Sequence, residues 1–67
     1  MERKDVGLRI AKIRIEKGLS AYELSKRIAK SFGYIHAVET GKTNPSVDTI
    51  LDIAQELGVH PSEFFKK

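Results

Sequence analysis

The chain has 67 residues, a net charge of +3 and no cysteine. That length holds one small domain, and the missing thiols exclude a disulfide framework and a thiolate zinc site. No apolar run approaches the roughly 20 residues that a membrane span needs, and a composition of 40% hydrophobic and 31% charged residues suits a packed domain rather than a disordered tail.

In chain order, Met1-Glu2-Arg3-Lys4-Asp5 lacks the apolar core of a secretory signal, so a cytoplasmic protein is expected. Val6, Ile10, Ile13 and Lys17 then recur at helical spacing, with Arg9, Lys12 and Glu16 on another face. This predicts a first helix over about residues 6–17, ended by Gly18. Ser20-Ala21-Tyr22-Glu23 is a capping box that starts a second helix carrying Leu24 and Ile28. Ser31 is a further N-cap, for a third helix with Ile35 and Val38 inside and Gly41 as its stop. Pro45 bars Asn44 from helix, and Ser46 caps a fourth helix with Val47, Ile50, Ile53, Ala54 and Leu57 on one face and Gly58 after it. Pro61 suits the first position of a fifth helix, with His60 as a mediocre cap. No segment alternates with period two, so an all-α fold of five short helices is expected.

A helix pair this short needs outside cover for its apolar face. Leu24, Ile28, Ile35 and Val38 are expected to pack on Ile10, Ile13, Ile50, Ile53 and Leu57, with Leu19, Ala54, Val59 and Phe65 completing the core. Each buried aliphatic side chain contributes roughly 1.5–3 kcal/mol.

Charge is uneven along the chain. Residues 1–42 carry ten basic against five acidic side chains, a net of +5, and residues 43–67 carry two against four, a net of −2. A basic first part suggests a face turned toward a polyanion. His36 and His60 stand 24 positions apart with no cysteine to join them, so no metal site is expected. Ser31 has no base beside it and reads as a cap rather than a nucleophile. No paired carboxylates, phosphate loop or triad point to an enzyme.

The run Gly18-Leu19-Ser20 through Glu39-Thr40-Gly41-Lys42-Thr43-Asn44-Pro45-Ser46 resembles the phage repressor/Cro (Xre-type) helix-turn-helix family. The likeness includes Leu24 and Ile28, then Tyr34-Ile35 and Val38-Glu39, and extends to Leu57-Gly58-Val59. It implies a lambda-repressor-like all-α fold with residues 1–67 as a single domain and the motif at about residues 20–40. It further implies a sequence-specific, repressor-type transcriptional regulator that binds double-stranded DNA as a homodimer, without cofactor or small-molecule ligand, its third helix in the major groove. By the same alignment the base-facing positions are Phe32, Gly33, His36 and Ala37, with Ser31 and Tyr34 beside them. Lys42, Thr43 and Asn44 are the expected phosphate contacts, with Lys30, Arg9 and Lys12 as weaker ones. The resemblance also implies that Arg14 pairs with Glu39 while reaching toward a phosphate. Leu51, Val59 and Phe64 are the expected dimer surface.

The chain departs from that pattern at four places. Ala21 stands where the family has Gln, Ser25 where it has Ala, Ala29 where a left-handed turn favours Gly, and Lys30 where the turn is apolar. Ala29 would cost roughly 1 kcal/mol in such a turn, or the turn would change shape. Ile15, Tyr22 and Phe32 are apolar where the family is often polar, and with the unusual base-facing set they leave a second reading open: a protein-interaction module on the same fold.

Overall fold

The hydroxyls of Ser20, Ser31 and Ser46 each accept a hydrogen bond from the amide three residues on, those of Glu23, Tyr34 and Thr49, at 3.0, 3.0 and 3.1 Å. Each satisfies one of the amides that a helix start leaves unpaired. At Ser20 the box is complete, because its own amide donates to the Glu23 carboxylate at 2.9 Å. That bond is the first cause holding the Glu23 carboxyl below the usual carboxylate range.

The computed structural model describes residues 3–66, with side chains from Asp5 onward. Met1, Glu2, Lys67 and the side chains of Arg3 and Lys4, whose charges enter the balance above, lie outside the described residues. The elements are α1 (Arg3–Glu16), α2 (Ala21–Arg27), α3 (Phe32–Glu39) and α4 (Val47–Leu57), then a 3₁₀ turn, Pro61–Phe65. The expected fifth helix is therefore this turn. Five residues led by a proline are too few to nucleate an α-helix and close instead by tighter bonds, such as the Glu63 amide donating to the His60 carbonyl at 3.0 Å.

All four α-helices end in the same way. The amides of Leu19, Lys30, Lys42 and Val59 donate back to the carbonyls of Arg14, Ser25, Ala37 and Ala54 at 3.1, 2.8, 2.8 and 3.0 Å. The residue before each of these amides is left-handed: Gly18, Ala29, Gly41 and Gly58, with φ of 73°, 56°, 79° and 69°. This closure ordinarily takes a glycine. At Ala29 the turn keeps its shape and the alanine takes the strain. Ala29→Gly should raise stability by about 0.5–1 kcal/mol, read as a rise in the midpoint of thermal unfolding.

The core is formed by Val6, Ile10, Ile13, Leu24, Ile28, Ile35, Val38, Ile53, Ala54, Leu57 and Phe64. Leu19, Ile50 and Val59, expected inside, are partly buried against it. Two corrections concern phenylalanines. Phe65, expected in the core, is 48% exposed, while Phe64, expected on a dimer surface, is fully buried. The turn packs on α1, where Arg9 donates to the Glu63 carbonyl at 3.2 Å, next to the buried Phe64. Arg9 is thereby engaged in the fold. The Lys66 ammonium, 2.7 Å from the Glu63 carboxylate, is the first cause holding that carboxyl below its usual range. A third correction is at the start of α4, where Val47 is exposed and Thr49 is buried. The Thr49 hydroxyl reaches Ser46 Oγ at 3.0 Å and so stays hydrogen bonded. Among the described residues no buried side-chain polar atom lacks a partner, and no helix is long and apolar enough to cross a membrane.

Candidate nucleic-acid interface

α2 and α3 are joined by Ile28, Ala29, Lys30 and Ser31 and pack on each other through Leu24, Ile28, Ile35 and Val38. Ser25 lies buried in α2, its hydroxyl donating to the Tyr22 carbonyl at 2.6 Å. A residue this small admits the close approach of a neighbouring helix.

Two devices seat α3 from behind. Gly7 of α1 is buried, and a Cβ added there would lie 2.2 Å from the Val38 carbonyl oxygen and 2.9 Å from that of Glu39. Only a residue without a side chain lets the two helices lie so close. Seven residues on, Arg14 forms a two-pronged pair with Glu39, Nε to Oε2 at 2.7 Å and Nη2 to Oε1 at 3.0 Å, and its Nη1 donates to the Leu19 carbonyl at 2.8 Å. Both side chains are largely buried. These bonds hold Arg14 between α1 and the end of α3, which is the expected pairing with Glu39. Paired bonds of this kind combine charge with fixed geometry, and they neutralise the one acidic residue of α3.

With Ile35 and Val38 turned inward, a rotation of about 100° per residue puts Gly33, His36, Ala37 and Thr40 on the opposite side, with Phe32 at its edge. Phe32, Gly33, His36 and Thr40 are exposed and Ala37 is half-buried. The Phe32 and His36 rings stack, their centroids 6.4 Å apart and their planes inclined by 20°. Ser31 caps the helix and Tyr34 is partly buried against the core. The Lys30 ammonium lies over the Tyr34 ring at 5.3 Å, and that of Lys26 over the Tyr22 ring at 5.0 Å. Such contacts steady an otherwise mobile cation at a defined place. Past α3, Lys42 and Asn44 are exposed and Thr43 is half-buried. The amides of Lys42 and Thr43 donate to the Ala37 carbonyl at 2.8 and 3.2 Å, which folds this loop back onto the helix end.

The structure thus brings Phe32, Gly33, His36 and Ala37 onto one side of α3, with Lys30 before the helix and Lys42, Thr43 and Asn44 after it. Tyr34 belongs to the side that meets the core. Leu51 is exposed and Val59 half-buried, while Phe64, as noted, is internal. Gly7 escaped the sequence reading, because the reason for it lies 31 positions away at Val38. Among the described residues no three His, Cys, Asp or Glu side chains gather as a metal site would require.

Comparison with known proteins agrees with this architecture. An HTH-type transcriptional regulator of unassigned role, y4dJ of Sinorhizobium fredii, is 44% identical over 57 residues, which cover 85% of this chain and 74% of the relative. Among solved structures, the restriction-modification controller protein C.AhdI of Aeromonas hydrophila superposes with a TM-score of 0.87 at 34% identity, covering 91% of this chain and 92% of that one. The hypothetical transcription factor NHTF from Neisseria superposes with a TM-score of 0.90 at 26% identity, covering 98% of this chain and 76% of that one. The family described as helix-turn-helix matches residues 10–64, and with the second and third helices joined and backed as described, the chain belongs to that family.

Proposed function

We propose that this DNA-binding transcriptional regulator, which is not an enzyme, works as a repressor-type homodimer, each copy laying the outer side of α3 in the major groove of double-stranded DNA. The observation that carries the reading is the character of that side. It is exposed apart from the half-buried Ala37, the one carboxylate of α3 is turned inward onto Arg14, and lysines stand before and after it. Phe32, Gly33, His36 and Ala37 face the base edges. Lys30, Ser31, Lys42, Thr43 and the Asn44 amide contact phosphates, with Tyr34 steadying Lys30. Contacts of the second kind fix position and those of the first carry sequence information. Val47, Leu51 and Phe65 are large apolar groups left exposed on α4 and the last turn, and together with Val59 they form the surface between the two copies. The protein acts in the cytoplasm with no cofactor or small-molecule ligand.

Selection of duplexes from a random pool tests this. The retained sequences should hold two related half-sites about 10–10.5 base pairs apart. Affinity should fall steeply with salt, because each neutralised phosphate releases counterions. Lys42→Ala should weaken binding about equally on all sequences and reduce the salt slope by about one. Affinity that does not change with salt, or unpaired half-sites, would overturn the reading. A folded protein that retains no duplex at all would favour the interaction module instead.

A further inference from the structure

We infer that the outer side of α3 selects the C5-methyl groups of pyrimidines in the major groove, rather than the hydrogen-bonding edge of guanine. The inference rests on the proposed groove placement and names what is recognised there.

The argument is one of elimination by chemistry. Reading guanine takes Arg or Lys with two donors, and reading adenine takes Asn or Gln with a donor and an acceptor. Phe32, Gly33, His36, Ala37 and Thr40 include none of these. Thr40 has a hydroxyl, but its proton goes to the His36 carbonyl at 2.8 Å, so toward a base it can only accept and offers no paired bonds. His36 can make a single hydrogen bond to a base edge but not the paired bonds that single out guanine, and its ring is held nearly parallel to Phe32. What remains is a slab of two stacked rings beside two small residues. The pyrimidine C5-methyl is the apolar feature of the major groove that such a surface can bury.

Gly33 adds an independent observation. It sits inside a helix, where glycine is unfavourable. Yet a Cβ added there would meet nothing nearer than Ser31 Oγ at 3.9 Å, and the backbone is not left-handed. The fold does not require a glycine at this place, unlike Gly7. Its missing side chain leaves a notch of about methyl size on the outer side, next in sequence to Phe32.

The test uses the operator obtained by selection, with binding followed by fluorescence anisotropy. Replacing the contacted thymines by deoxyuridine should weaken binding about fourfold for each methyl lost, as expected for burial of one methyl group. Cytosine placed at the same positions should bind more weakly than 5-methylcytosine by a similar factor, which separates the methyl group from the rest of the thymine base. Phe32→Ala should abolish both preferences while leaving the circular dichroism spectrum unchanged. Gly33→Ala should raise the melting temperature by a few degrees and weaken operator binding, a pairing that a purely structural glycine would not produce. Equal affinity for thymine and uracil operators, with a loss on 7-deazaguanine substitution, would overturn the methyl reading and leave the groove placement standing. Retention of no duplex would overturn both.

Discussion

Phe64→Ala should destabilise the protein by about 3–5 kcal/mol, the usual cost of removing a buried ring together with the cavity it leaves. The core of a domain this small supplies only about 3–5 kcal/mol of net stability, so the variant should be largely unfolded at 25 °C. Phe64 is among the largest fully buried side chains, in a turn that packs on α1. Phe65→Ala, one residue on, should change stability by no more than about 0.5 kcal/mol, because its ring is half in water. Urea unfolding of the two variants side by side decides the matter. Equal losses would mean that the last turn is docked in another register.

Gly7→Ala should be the second large effect, for the opposite reason. The added carbon would sit 2.2 Å from the Val38 carbonyl oxygen, and both partners are helix backbone with no rotamer to relax. Overpacking of a filled interior typically costs 1–3 kcal/mol, and a backbone clash on this scale belongs at the top of that range or beyond. A functional loss should follow as well. Relief requires α1 and α3 to separate at the Val38–Glu39 end, which pulls against the Arg14–Glu39 pair and changes the angle of the helix proposed to enter the groove. DNA affinity should therefore fall further than the folded fraction does. That comparison is made at a temperature where circular dichroism shows the variant to be mostly helical. A variant as stable and as tightly bound as the wild type would mean that the close approach of α1 to α3 is absent.

Much of this architecture is readable in the amino-acid order, because most of its boundaries are set by local chemistry. Ser20, Ser31 and Ser46 start helices through their own hydroxyls, and Gly18, Gly41 and Gly58 end them through their own backbone freedom. Ala29 is readable as a place of conflict, since the turn's demand and the residue's preference are both local. The two phenylalanines are not separable in this way. In a five-residue turn at the end of the chain, neighbouring rings are equally apolar, and packing against α1, more than 50 residues away at Arg9, decides between them. Val47 misleads because it continues the apolar period of α4 one step past the core, while Thr49 hides its hydroxyl against Ser46. At the interface, residue types alone place Phe32, Gly33, His36 and Ala37 but leave the stacking of Phe32 on His36 and the bond from the Thr40 hydroxyl to the His36 carbonyl invisible.

The clamp behind α3 has a consequence for how such a molecule changes over time. Gly7, Arg14 and Glu39 grip the rear of the rod, and none of Phe32, Gly33, His36 or Ala37 takes part in that grip. Long polar side chains can be exchanged into those four places at little thermodynamic penalty, since surface substitutions away from caps and cores rarely exceed about 0.5 kcal/mol. A lineage carrying this scaffold is free to acquire a new target by a handful of replacements, without first reinforcing the frame that presents them.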